Sequence, residues 1–320
     1  MSKNLKNNKF KSYLFLPKSK KNKRFGEGGL RKKNIFKKSI SNKPLISIVT
    51  TNLNDQLERT ILSVIDQKNE NIEFIIKDGG SKKKTIDILN YYNNEIDYWV
   101  SENDNGIWDG TNKGVTLAKG DYIVLLDSGD VFNSNALSHI NSLIRKNPNA
   151  DFYLGSCLKK RLMHGFRPKN INFHFNIFAS FSGALFVSKY AYKKIGLYNT
   201  KVVSADHDFL YKAIVKHKII GVCGYKNNIL SIKASGGFSD NYPFFKTLCD
   251  ECIIRFKNKQ NFLVVLLIFF GRIFTKFLYN VCNYDGNNKK NSFIPKNSKI
   301  AINKARNYYE TIINRQIFKS

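Results

Sequence analysis

Tyr122-Ile123-Val124-Leu125-Leu126 runs straight into Asp127-Ser128-Gly129-Asp130, and this stretch decides the reading of the fold. An unbroken apolar run, preceded by Gly120 and stopped by a polar cluster, fits a strand covered on both faces. Working back from it, helical and extended patterns alternate. Residues 107–118 have helical spacing and end before Gly120. Tyr98-Trp99-Val100 reads as a short strand, 85–92 as a helix, and 72–77 as a strand closed by Asp78-Gly79-Gly80-Ser81. Residues 55–67 form a helix whose apolar side is Leu57, Ile61, Leu62, Val64 and Ile65, and 45–50 form the first strand, directly after Pro44. Alternation at this spacing predicts βαβ crossovers and a mainly parallel sheet. Such sheets receive ligands beyond the carboxyl ends of their strands. The polar clusters fall at those ends: Thr51-Asn52, Asp78, and Asp127 to Asp130. Forward of the stretch the pattern is more mixed, with strands at 152–154, 184–187, 219–223 and 229–232 and helices at 189–195 and 208–217.

The 320 residues, 42% of them hydrophobic and 13% aromatic, suffice for a buried core, which excludes wholesale disorder. Cys157, Cys223, Cys249, Cys252 and Cys282 are odd in number and scattered, which does not read as a disulfide framework and fits a reducing cytosol. Cys249 and Cys252 form a C-x-x-C with no second pair to complete a zinc site. The net charge is +29, and residues 1–43 hold fifteen Lys or Arg against Glu27 alone. We read them as a basic tail, either drawn to polyanions or simply solvated. No apolar run follows the first lysines, so a secretory signal is not expected. Residues 44–240 then form the main domain and 241–320 a helical extension. Within the extension, 262–270 is an apolar run too short to span a bilayer. With Arg272 and Lys276 beside Ile273, Phe274, Phe277 and Leu278, it fits an amphipathic helix that lies on an anionic membrane surface or packs on the protein.

Six segments together resemble the bacterial inverting family-two glycosyltransferases that build capsule, lipopolysaccharide, colanic acid and other surface polysaccharides. They are PLISIVTTNLN (44–54), IEFIIKDGGS (72–81), DYWVSENDNGIWDGTNKG (97–114), GDYIVLLDSGD (120–130), KKIGLYNTKVVSADHDFLYKAI (193–214) and SIKASGGFS (231–239). The resemblance implies the GT-A fold, an α/β, Rossmann-like mixed sheet flanked by helices. It also implies metal-dependent transfer, with inversion, from a nucleotide-sugar donor, uridine by family habit. The acceptor would be a hydroxyl on a saccharide or lipid-linked saccharide. By the same resemblance, Thr51, Asn52 and Asp78 receive base and ribose, Asp78 accepting from the uracil imide. Asp104, Asn112 and Lys113 run beside the diphosphate and donor sugar. Asp130 holds Mn²⁺ or Mg²⁺, with Asp127 sharing the ion or holding the ribose, and the final segment closes the site. Asp206 is the base. Two departures stand out: Gly129 replaces a central carboxylate, and Ala205 replaces the acidic neighbour of the base.

The chemistry suits these residue types. Hard divalent cations take one or two carboxylates plus substrate phosphates, and one positioned carboxylate can take the proton of an attacking hydroxyl. Each residue also has a plainer reading. Asp127 to Asp130 is good turn chemistry, Asp78-Gly79-Gly80 is a turn needing positive φ, and Lys113 is a helix-surface lysine. Asp206 and Asp208 are first-turn acids of a helix, a role Asp208 fits better, and His207 is read as packing. Two competing functions remain at this point. One is a homologue that binds nucleotide sugar without turnover. The other is a basic nucleic-acid-binding protein, the weaker reading, because no recognition motif accompanies the charge. A cytoplasmic protein, peripheral on the inner face of the membrane if the amphipathic helix binds there, is the expected location.

Overall fold

The computed structural model of the chain describes residues 10–18, 23–40, 43–53, 56–67, 71–234, 242–282 and 295–318. Its strands are β1 (Arg24–Gly28), β2 (Ile46–Asn52), β3 (Ile72–Asp78), β4 (Tyr98–Glu102), β5 (Tyr122–Leu125), β6 (Val131–Phe132), β7 (Phe152–Leu154), β8 (Ser156–Leu158), β9 (Leu162–Met163), β10 (Leu185–Ser188), β11 (Gly221–Cys223) and β12 (Ile229–Ile232). Its α-helices are α1 (Leu57–Ile65), α2 (Lys83–Tyr91), α3 (Ile107–Leu117), α4 (Ala136–Lys146), α5 (Lys189–Ile195), α6 (Ala205–Tyr211), α7 (Phe244–Lys257), α8 (Phe262–Cys282) and α9 (Lys296–Asn314).

The runs read as buried strands are buried on both faces. Ile46 and Ile48 of β2 pack with Leu57, Ile61 and Val64 of α1 on one side of the sheet, while Val49 joins Val115 and Leu117 of α3 on the other. Alternate residues of β3 and β5 divide in the same way, which gives a sheet between two helical layers. Helix α3 lies close on the sheet because it carries glycine at the contact: a Cβ on Gly114 would sit 2.5 Å from Val49 Cγ1.

The strand order among the described residues is β1-β4-β3-β2-β5-β10-β7-β11. Strands β4, β3, β2 and β5 are parallel, as the alternation predicts. Beyond β5 the sheet turns mixed: β10 is antiparallel to both β5 and β7, and β11 is parallel to β7. A small second sheet, β6-β12-β8-β9, stands beside the carboxyl end of β5.

Both ends of the chain depart from the boundaries drawn at 44 and 240. Strand β1, inside the segment read as a tail, adds antiparallel to β4 and forms one edge of the sheet. Arg31, 2% exposed, donates to Glu73 and to the carbonyls of Leu117 and Leu14 (2.9 Å each). Removing either partner would strand a buried charge, at a cost of about 3–5 kcal/mol. Arg24 donates to Glu102 at 2.8 Å, and Lys37 to Asp97 at 3.0 Å. These basic residues are thus spent inside the fold. At the other end, α9 returns to α1: the Tyr308 hydroxyl donates to Asp66 at 2.9 Å, and the backbone N–H groups of Ile317 and Phe318 donate to Glu58 at 2.8 Å. The Ser-Gly-Gly-Phe-Ser part of the expected closing segment (235–239) lies outside the described residues.

Candidate active site

Because β2, β3 and β4 run parallel and in register, Asn52 stands opposite Asp78 and Asp78 opposite Ser101. Asp78 is wholly buried. Its carboxylate accepts from Asn52 Nδ2 (2.7 Å), Ser101 Oγ (2.6 Å), the N–H groups of Gly80 (3.1 Å) and Ser81 (2.9 Å), and the Ser81 hydroxyl. Neither oxygen is left for a nucleobase in this arrangement, so Asp78 organises the turn. Asn52 accepts from Ser128 Oγ at 2.7 Å, which ties this corner to the Asp127–Asp130 turn.

Lys77, absent from the residues picked out of the sequence, is 0% exposed. Its ammonium donates to the carbonyls of Asp78 (2.6 Å) and Glu102 (2.7 Å) and to Asp104 Oδ2 (3.2 Å). Burial pulls its pKa down, and the Asp104 charge opposes that pull. A Cβ on Gly79 or Gly110 would come within 3.1 or 2.8 Å of Asp104 Oδ2, and Thr51 flanks Gly110. Thr51, Gly79, Asp104 and Gly110 therefore form one corner, with Asp104 half-buried and aimed by Lys77.

The two α3 residues expected beside the donor do other work. Asn112 clamps the backbone of Tyr198, donating to its carbonyl at 2.8 Å and accepting from its N–H at 2.9 Å. Lys113 pairs with Asp109 at 3.1 Å and Glu102 at 3.3 Å, so its charge is already met.

At the Asp127–Asp130 turn, Gly129 has φ 90°, and a Cβ there would stand 3.0 Å from the Arg59 guanidinium. That left-handed conformation gives a physical reason for glycine where the family's pattern has an acid. Asp127 is half-exposed (49% of its side chain), whereas Asp130 is only 4% exposed. Asp130 accepts from Ser182 Oγ (2.7 Å), Ala234 N–H (2.9 Å) and Lys233 Nζ (2.5 Å). Lys233 also approaches Asp127 at 3.4 Å. Burial disfavours the Lys233 ammonium, but Asp127 and Asp130 outweigh it and hold its pKa above the ordinary lysine range. A two-carboxylate centre for Mn²⁺ or Mg²⁺ does not fit these residues: Asp130 has both oxygens engaged, and an ammonium stands between the pair. Among the described residues no group of three or more His, Cys, Asp or Glu could hold a metal ion.

Asp206 opens α6, half-buried, and no described residue donates a hydrogen bond or forms an ion pair to it. Its neighbours are engaged. Asp208 accepts from Lys212 (2.6 Å) and Asn258 (3.0 Å), and His207 stacks on Phe175 with ring centroids 4.5 Å apart. The loop before α6 is held from α7, where Asp250 accepts from the N–H groups of Val203 (3.0 Å) and Ser204 (3.2 Å). The buried Tyr198 phenol joins the two halves. Burial and then Tyr192 push its pKa well up, and the charges of Asp206 and Asp127 add smaller contributions to the shift. Trp108 packs on Tyr198 at 5.0 Å. The sequence-picked residues are thus in three states: Asp104, Asp127 and Asp206 open or half-open, Asp78 and Asp130 closed, Asn112 and Lys113 committed to the protein. A separate hollow, lined in part by Lys37, Asn71, Ile72 and Glu95, lies at the amino end of β3, away from these carboxylates.

Comparison with known proteins shows the family and the fold. The profile described as "Glycosyl transferase family 2" matches residues 46–213, more than half of the chain. An uncharacterized glycosyltransferase of Mycobacterium tuberculosis is 36% identical over 97 residues, 29% of this chain and 37% of that protein. A PGL/p-HBAD biosynthesis glycosyltransferase of Mycobacterium bovis is 27% identical over 177 residues, covering 52% of this chain and 68% of the relative. The chain therefore spans about a third to two thirds of the length of these relatives. Among solved structures, TarS of S. aureus in complex with UDP-GlcNAc superposes with a TM-score of 0.52 at 15% identity, over 84% of this chain and 90% of that one. The mannosyltransferase PcManGT of Pyrobaculum calidifontis, in complex with GDP-Man and Mn²⁺, gives 0.52 at 12% identity, over 89% and 87%. These two establish likeness of fold, the GT-A arrangement of a mixed sheet between helices.

Proposed function

The chain belongs to glycosyl transferase family 2, and from that premise we propose that it moves a sugar from a nucleotide diphosphate donor to an acceptor hydroxyl by a single displacement, with Asp206 as the general base. The observation that carries this is that Asp206, half-buried at the start of α6, takes no hydrogen bond or ion pair from the described residues. A base must reach its proton without first breaking a bond to the protein, and Asp206 has no bond of that kind among the described residues. With one such carboxylate and no covalent intermediate, the anomeric centre inverts. The non-catalytic alternative loses ground on the same observation, since the base survives although Ala205 has replaced its neighbour.

On the donor side, Asp104 and Thr51 are the groups we assign to base and ribose, with Asp78 and Asn52 holding the turn that presents them. A uridine nucleotide is the proposed donor class, supported by the solved complex of TarS with UDP-GlcNAc in the same fold. A cation arriving with the diphosphate would find Asp127 and not Asp130.

The acceptor is proposed to be a saccharide or lipid-linked saccharide of a cell-surface polysaccharide, met at an anionic membrane surface. No helix among the described residues is long and apolar enough to cross a membrane. Helix α8 nonetheless shows solvent Leu263 (67%), Leu267 (72%), Phe270 (63%), Phe274 (60%) and Phe277 (62%), spaced four and three apart on one face. Arg272 and Lys276 point the other way, toward α7, where Arg272 pairs with Glu251 at 3.4 Å and Lys276 stands over the Phe244 ring, so the proposed attachment rests on the apolar face alone. Binding to anionic vesicles that Leu267→Glu with Phe270→Glu removes would support this attachment.

The test of the function is Asp206→Asn in the full chain. Transfer should fall by about 10²–10⁴-fold, the range for a lost general base, while UDP binding by calorimetry stays within twofold or so of the parent. Unchanged transfer would remove Asp206 from the chemistry.

A further inference from the structure

Lys233 reaches Asp130 at 2.5 Å and Asp127 at 3.4 Å, bridging the two carboxylates that the sequence offered as metal ligands. It is fixed there from several directions. Its backbone N–H donates to Leu158 O at 2.8 Å, and the next residue, Ala234, donates to the other oxygen of Asp130 at 2.9 Å. Ser182 takes the remaining approach to Asp130 at 2.7 Å. A divalent ion bridging both carboxylates would have to expel a buried ammonium and break these contacts, leaving its charge beside the metal. The Lys233 side chain keeps 18% of its surface exposed, next to the half-exposed Asp127, so a ligand entering there meets a positive charge. A second one stands across the turn. Arg59 lies beside Gly129 over the Tyr309 ring, with its buried Nε lacking a hydrogen-bond partner among the described residues.

Resting on the transferase reading above, we propose that Lys233 is the resident cation of the donor site, contacting the departing diphosphate in place of a divalent metal, so that this chain transfers sugar without one. In the step, the acceptor oxygen bonds to the anomeric carbon as its proton passes to Asp206. The bond from that carbon to the diphosphate oxygen breaks, and the electron pair leaves with the nucleoside diphosphate, whose new charge Lys233 meets. A fixed ammonium stabilises this charge without reorganising during the reaction.

The experiment has two arms on the full-length chain. In the first, Mn²⁺ alone is titrated and binding is read from loss of the free-ion EPR signal. The parent should show no tight site, and Lys233→Met, which frees Asp127 and Asp130, should gain one. In the second, donor turnover is measured in EDTA. It should persist in the parent and in Lys233→Arg, and drop in Lys233→Met by about 10²–10³-fold, the usual loss for one charge-stabilising donor. Tight Mn²⁺ binding by the parent, or parent turnover abolished by EDTA, overturns the proposal, and both readings stand even if Lys233→Met fails to fold. A chain that turns over no nucleotide sugar under any condition overturns the transferase reading instead, and the Mn²⁺ titration still decides the role of Lys233.

Discussion

At Asp78 five hydrogen-bond donors converge on one buried carboxylate, whereas Asp206, half-buried at the start of α6, receives none from the described residues. The two acids stand on what we propose are the donor and acceptor edges of one family-2 transferase domain, and the contrast suggests a different task for each. A carboxylate saturated by Asn52, Ser101 and the Gly80-Ser81 backbone fixes the shape of three strand ends and has nothing left to give a substrate. A carboxylate left open, on a helix whose own anchors are Asp208 and the Asp250 cap, is held in position yet chemically idle until an acceptor arrives. On that proposal the donor edge is built for rigidity and the acceptor edge for reaction.

That contrast can be broken by measuring stability at both acids. Asp78→Asn should lower unfolding free energy by about 2–3 kcal/mol, because an amide cannot accept from all five donors. Asp206→Asn should stay within about 0.5 kcal/mol of the parent. Equal losses in urea unfolding would erase the distinction. Asn112→Ala comes next. It leaves the N–H and carbonyl of Tyr198 without their partner, and should cost about 2 kcal/mol while raising the acceptor KM more than the donor KM. A smaller effect is expected at Asp250→Ala, about 1 kcal/mol in thermal unfolding, as for the loss of a cap. Transfer should drop with UDP affinity unchanged, since Asp250 holds the loop that leads into Asp206. The smallest belongs to Lys113→Met: its charge is already shared by Asp109 and Glu102, so UDP affinity by calorimetry should change less than about threefold. A larger loss would return Lys113 to the diphosphate.

Much of this layout is legible in the sequence. The apolar runs of β2, β3 and β5 are each buried on both faces, and each run is followed by a polar residue at the carboxyl edge, so pattern alone locates the strand ends that carry the candidate residues. Asp206 is singled out by the family resemblance of its motif. Strand β1 is not, because Arg-Phe-Gly-Glu-Gly at a sheet edge has no apolar alternation, and its pairing with β4 joins residues far apart in the chain. Strands of two or three residues, such as β6 and β9, are too short to carry a period. The largest gap concerns charges. Lysine at position 77 carries no local sign of its role at the end of the 72–77 run, yet it is buried because two carbonyls and Asp104 surround its ammonium. Lys233 meets Asp130 across 103 residues, a pairing that no local pattern encodes. For the same reason Asp78 and Asp130 read as open ligands: residue type announces a carboxylate, but only the fold shows which donors have claimed it.

The whole account depends on one free carboxylate acting once. The direct measurement is the anomeric configuration of the first product, read from its proton NMR coupling before any mutarotation, with whichever nucleotide sugar the chain turns over. An α-linked donor should give a β-linked product. Retention of the α configuration would demand a nucleophile on the protein and would contradict a single displacement driven by Asp206.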